Sequence, residues 1–294
     1  MDAFYIILTA SFFSISCGLL GCFLILRKMA MVGDAISHAV LPGIVFAFFI
    51  TGSRDSLPMI IGAALFGVFT AFLIEYFHKK ARLQADAAIG VTFTWLFALG
   101  VILISLYAGQ VDLDQECVLY GEIAYVPIDL WITKSGAILG PKAPYVAAAL
   151  LLANLIFIWV GYKQLYLTTF DSAFAASVGI SVALWNYLLM GAVSMTTVAA
   201  FDSVGAILIV ALLVVPPATA YLITERLERM LYLTSLIAIL VSTLGYFLAV
   251  AIDGSIAGAI VTVAGVIFGL VFLFAPPNGI LYRRWKYTRE KAVE

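Results

Sequence analysis

The sequence predicts an all-α fold, a polytopic transmembrane helical bundle of eight or nine spans, and three features predict it. The 294 residues are 64% hydrophobic and 11% charged, where a soluble domain carries roughly 25% charged residues. With a mean hydropathy of +1.11, one core cannot hide the apolar surface, so membrane lipid must cover most of it. Apolar runs of the ~20 residues needed to cross a hydrocarbon core of ~30 Å recur along the chain. Lysine and arginine gather in alternate turns between those runs, as cytoplasmic loops require. No basic patch of the kind nucleic acid would demand is present, and a formal net charge of −1 says less than where the charges fall.

The apolar runs cover residues 4–26, 31–50, 57–77, 87–107, 144–162, 182–200, 203–223, 230–250 and 256–274. The first has no positive leader region and no small-residue cleavage site, so it reads as a retained span. It holds Cys17 and Cys22; Cys117 lies far from both, and the three cysteines make no disulfide framework. With the N-terminus outside, the 16 lysines and arginines all become cytoplasmic except Arg54, Lys134 and Lys142. An odd number of spans then leaves the C-terminus in the cytoplasm.

The second run opens on Met31-Val-Gly-Asp-Ala-Ile-Ser-His-Ala-Val-Leu-Pro-Gly43. Asp34 and His38 are four residues apart, which stacks both side chains on one face of a helix. A carboxylate near mid-membrane costs roughly 2.5–3.5 kcal/mol on insertion scales and needs a partner. Counting from Lys28 at ~1.5 Å per residue, Asp34 lies about 9 Å and His38 about 15 Å along the helix, near the depth at which transporters hold their cargo. One Asp-x-x-x-His pair is too little for a zinc hydrolase. Two copies facing across a twofold axis would give two carboxylates and two imidazoles, a set that suits a divalent first-row metal. The competing role for Asp34 is a hydrogen bond that holds the bundle together.

The loop 108–143 carries Asp112, Asp114, Glu116, Glu122 and Asp129 beside Tyr125 and Trp131, and reads as an outward cap partly in the interface. Residues 164–181 are too polar to span and too apolar for an idle loop. Asp171 or Ser172 can cap a short helix over Ala173–Val178 and Gly179 can end it. Tyr166, Leu167, Phe170 and Phe174 give that helix an apolar face fit for a soluble partner. Phe201-Asp202 separates two spans. Pro216 and Pro217 remove two backbone donors and are expected to kink or interrupt their helix, a candidate gating break. Gly265 and Gly269 form a small-xxx-small pair that permits close helix packing. Residues 282–294 form a basic tail.

The Gly33-to-Gly43 run resembles the hallmark of the metal-ion permeases of ATP-binding-cassette importers, those of the manganese, zinc and chelated-iron systems. Asp86-Ala-Ala-Ile-Gly-Val, Phe170-Asp171 through Gly179-Ile180, and Gly205-Ala-Ile-Leu-Ile-Val through Pro216 to Ala220 match in the same order. The stretch Asp112 to Val126 is most similar to the manganese branch. The resemblance implies one permease domain over residues 1–294 in a bacterial plasma membrane, with a coupling helix at about 166–180 that includes Phe170, Asp171, Phe174 and Gly179. It implies a transport subunit rather than an enzyme, with cytoplasmic ATPase subunits, an external or periplasmic metal-binding protein, and a second permease copy, identical or related. The cargo is a divalent metal, manganese with zinc or iron as alternatives, held at Asp34 and His38, and no cofactor is permanently bound. A self-sufficient secondary transporter or channel for divalent metal is the alternative, and only the importer needs a docking helix.

Overall fold

The computed structural model describes residues 2–52, 56–107, 123–132 and 138–275. Asp112, Asp114, Glu116, Cys117, Glu122 and the basic tail lie outside the described residues. The helices are α1 (Asp2–Leu26), α2 (Ala30–Ala39), α3 (Leu41–Thr51), α4 (Ser56–Lys80), α5 (Ala85–Tyr107), α6 (Lys142–Phe170), α7 (Ser172–Ser177), α8 (Val182–Val204), α9 (Ala206–Ile223), α10 (Leu227–Ile252) and α11 (Ile256–Phe274). Strands β1 (Leu130–Ile132) and β2 (Ile138–Pro141) form one antiparallel pair.

Among the described residues, 8 stretches are long and apolar enough to cross a membrane, with α2 and α3 joined as Ala30–Thr51. The remaining apolar run is the shorter helix Ile207–Ile223. At ~1.5 Å per residue, the 18 residues of α9 reach about 27 Å, slightly less than the hydrocarbon core. The break between α8 and α9 falls at Gly205 rather than at Phe201-Asp202. Gly205 takes φ 79° and its N–H still bonds to the Phe201 carbonyl at 3.1 Å, so the helix continues past the acidic residue. Glycine is the residue that adopts this backbone without a Cβ clash.

The chain divides into two compact units. The first gathers α1, the hairpin, the start of α6, and α9 to α11. Its main surprise is α9, which runs unbroken through Pro216 and Pro217. Each proline lacks the N–H that would bond to the carbonyl four residues back, so Leu212 and Leu213 receive no helical donor from them. Those two carbonyls face the small residues of α1. A Cβ on Gly21 would collide with the Leu213 oxygen, and one on Gly18 would come within 3.9 Å of the Leu212 oxygen. The helix is thus not interrupted at the prolines, and its donor-poor side lies under glycine. Buried Cys22 meets Thr234 on α10 at 3.2 Å. The packing glycine of α10 and α11 is Gly245, pressed on Ile260. Gly265 and Gly269 have nothing within 4 Å of the space a Cβ would fill, so their small-residue pair makes no close packing within the described chain. The hairpin is closed by Lys142 Nζ and Asp129 Oδ1 at 2.7 Å.

The second unit gathers α2 to α5, the rest of α6, α7 and α8. Its helices approach through glycine. Cβ atoms built on Gly43 of α3 and Gly62 of α4 would each lie 2.5 Å from the other residue's carbonyl oxygen, so neither position has room for a larger residue. Gly67 of α4 lies against Ser194 of α8 and Ile36 of α2, and Gly161 of α6 against the ring of Trp185. A buried hydrogen bond from Asn154 Nδ2 to Thr196 Oγ1 at 2.7 Å joins α6 to α8. In lipid, which supplies no hydrophobic force between helices, close packing and polar links of this kind hold a bundle.

Candidate functional site

Helix α2 is ten residues long and divided by chemistry. Val32, Ala35, Ile36 and Ala39 follow the i, i+3, i+4, i+7 pattern and are all buried, and α2 packs against α4, α5 and α8. Asp34 and His38 fall on the other face. Asp34 Oδ1 and His38 Nε2 are 3.6 Å apart, and each side chain keeps 35% exposure. That separation exceeds a good N–H···O hydrogen bond, so the two groups face the same space without closing on each other.

The sequence after His38 shapes this end of the helix. Pro42 stands in the first turn of α3 and has no N–H for the His38 carbonyl. The chain nevertheless stays helical at the joint: Val40 has φ −75° and ψ −16°, and Ile44 N–H bonds to the Val40 carbonyl at 3.1 Å. From α5, Phe97 meets the His38 ring edge-on at 5.9 Å and Phe93 lies 6.2 Å from it. Two aromatic rings on one side orient the imidazole and leave its polar edge toward Asp34. A hard carboxylate oxygen beside a borderline imidazole nitrogen makes a mixed set suited to manganese, iron or zinc. Among the described residues, no group of three or more His, Cys, Asp or Glu could hold a metal ion; the chain presents a pair.

The second expected feature sits at the α6–α8 junction. Asp171 caps α7 by accepting the Phe174 N–H at 2.9 Å. Gly179, at φ 87°, ends it: the Ile180 N–H returns to the Ala175 carbonyl at 2.9 Å and the Gly179 N–H to Ala176 at 3.1 Å, the left-handed termination that glycine permits. Ser181 then caps α8 by accepting the Leu184 N–H at 3.3 Å. The helix is Ser172–Ser177, within one residue of the Ala173–Val178 read from the cap and stop, and shorter than the expected coupling helix of about 166–180. Tyr166, Leu167 and Phe170 belong to the end of α6, whose 29 residues reach about 43 Å and so outrun a ~30 Å core. The rings of Tyr166 and Phe170 lie 4.8 Å apart with their planes tilted by 42°, and Phe170 and Phe174 are both exposed.

Sequence reasoning missed a polar cluster near these elements. Arg27, just before α2, donates hydrogen bonds to Thr168, Thr169 and Asn186. Burial pushes its guanidinium down to about 10, which leaves it cationic at neutral pH. On α4, Glu75 takes part in a hydrogen bond with Tyr187 of α8. The signal in the sequence was an acidic residue within an apolar run, which is rare unless it has a partner.

The model of the ABC 3 transport family matches residues 3–275. The chain is 50% identical over 280 residues to the manganese transport system membrane protein MntD of Bacillus subtilis, covering 95% of this chain and 94% of that one. It is 44% identical over 278 residues to the zinc transport system membrane protein TroD of Treponema pallidum, covering 95% of this chain and 75% of that one. Among solved structures, PsaBC from Streptococcus pneumoniae in complex with Fab matches with a TM-score of 0.76 at 35% identity, covering 96% of this chain and 94% of that chain. The extent and the closeness of these matches agree with the helical architecture, and the chain is a member of the ABC 3 transport family.

Proposed function

We propose that this chain is the membrane permease subunit of an ABC importer that carries a divalent transition metal into the cytoplasm. Manganese is the favoured cargo, because the 50%-identical relative is a manganese transport protein; zinc, after the 44%-identical one, and iron are the alternatives. The observation that carries the reading is the Asp34–His38 pair, half-exposed on one face of a helix whose other face is buried. Each chain offers one oxygen and one nitrogen ligand, and a second permease copy supplies the matching pair.

The chain itself acts as a transport subunit and hydrolyses no ATP. A cytoplasmic ATPase docks on α7 and the end of α6 through exposed Phe174 and Phe170, and an external metal-binding protein delivers the ion. With the shorter helix α9 crossing as a ninth span, the N-terminus faces outward and the C-terminus inward, the orientation that the lysine and arginine distribution favours. Residues 1–294 act as one permease domain, and Pro216 and Pro217 keep a stretch of α9 free to adjust during gating. The test is manganese uptake into vesicles holding the permease, its ATPase and the binding protein. Uptake that needs ATP and is lost in Asp34→Ala and His38→Ala supports the reading. Full uptake with no ATPase overturns it.

A further inference from the structure

Arg27 belongs neither to the metal pair nor to α7, yet it joins the segments that bear them. Nε donates to Thr169 Oγ1 at 3.0 Å, one terminal nitrogen to Asn186 Oδ1 at 3.0 Å, and the other to Thr168 Oγ1 at 2.9 Å. Thr168 and Thr169 form the last turn of α6, directly before the Asp171 cap of α7. Asn186 lies near the start of α8, directly after α7. One side chain therefore holds both flanks of α7. The Thr168 hydroxyl is also committed, since it donates to the Gln164 carbonyl at 2.8 Å, so its lone pairs are what Arg27 uses.

The other end of the link is α2. Arg27 stands three residues before it, and Lys28 between them takes φ 58°, a left-handed turn that fixes the direction in which α2 begins. Helix α8 packs on both α2 and α4. A guanidinium presents its donors in one rigid plane. When the end of α6 moves relative to the start of α8, Arg27 must either carry α2 with it or lose a charge-assisted bond. All three acceptors are neutral oxygens, so the geometry of the fork, rather than an ion pair, holds the cluster.

We propose that Arg27 is the positioning residue that transmits displacement of α7 to the metal-bearing helix α2. This rests on the permease reading given above. Lysine keeps the charge but cannot reach three oxygens in one plane, so Arg27→Lys separates geometry from electrostatics.

The experiment uses the full complex of permease, ATPase and binding protein in proteoliposomes, with Mn²⁺ as the probe. Uptake and ATP hydrolysis are measured together. For Arg27→Lys, uptake is expected to fall about tenfold, the scale of losing a hydrogen bond to a charged group, while hydrolysis stays within about twofold. Asn186→Leu, a near-isosteric change that removes one acceptor, is expected to shift the ratio the same way and decides the matter if Arg27→Lys does not assemble. A purely structural residue would lower both activities together. An unchanged ratio of ions moved to ATP hydrolysed overturns the proposal. If the wild-type complex itself does not couple Mn²⁺ uptake to ATP, it is the permease reading that fails instead.

Discussion

Gly21 of α1 lies against the carbonyl of Leu213 on α9, the oxygen that Pro217 leaves without its helical donor. A double proline in mid-helix would be expected to break it, and membrane bundles tolerate one only where neighbours accommodate the freed groups. Here the accommodation is steric: the missing side chain of Gly21 lets α1 reach the proline-bearing face.

It follows that Gly21→Ala should destabilise the permease by about 1–3 kcal/mol, the range for overpacking a filled core. A Cβ there meets backbone, which cannot rotate away. Gly18→Ala meets the methyl of Thr234 at 2.6 Å, the end of a side chain, and should be milder. Thermal melting of the detergent-purified protein checks this. Equal melting points for wild type and Gly21→Ala would show that α1 and α9 are further apart than described.

Removing the Asp171 side chain should cost α7 about 1 kcal/mol through its lost cap. Asp171→Lys adds charge reversal at the same point. Phe174→Ala should weaken ATPase association by about 1.5–3 kcal/mol if that ring is buried by the partner. Co-purification of the ATPase with each variant reports it. Undiminished recovery with both variants would move the docking surface away from α7.

Gly179 takes φ 87°, a conformation that costs a residue with a Cβ roughly 1 kcal/mol or more. Gly179→Val should therefore unwind the Ile180-to-Ala175 hydrogen bond and loosen α7 without touching Asp34 or His38. The expected signature is weakened ATPase recovery with unaltered permease melting.

Much of this organisation was legible in the sequence. The apolar runs gave the helices because length and composition suffice for a span. The Asp34–His38 pair was legible because four-residue spacing is decisive on a helix. Asp171 and Gly179 announced a cap and a stop, and both occur. The cap and stop gave the short helix to within a residue, but Tyr166, Leu167 and Phe170 were wrongly placed on it, because α6 continues past the bilayer length and carries them. Of the two outcomes expected at the prolines, a kink or an interruption, the helix shows no interruption, and the packing there involves Gly18 and Gly21, some two hundred residues away in sequence. Arg27 was invisible as a site for the same reason: its partners at 168, 169 and 186 come together only in the fold.

Orientation has its own test. In a background without native cysteines, single cysteines in the turns at residues 81–84 and 224–226 should resist a membrane-impermeant thiol reagent added from outside intact cells. Labelling from outside at either turn would reverse the assignment drawn from lysine and arginine placement.

The central claim is that Asp34 and His38 hold the ion on its path and that ATP drives its passage. Manganese uptake by vesicles carrying the whole complex, with zinc and iron as competitors, tests both parts in one assay. Wild-type vesicles should accumulate manganese only with ATP inside the ATPase-bearing compartment. Asp34→Ala and His38→Ala should each abolish accumulation while the ATPase still co-purifies, because in the proposed site, shared by two copies, each change would remove two ligands. Wild-type rates in both variants, with the complex intact, would contradict the account.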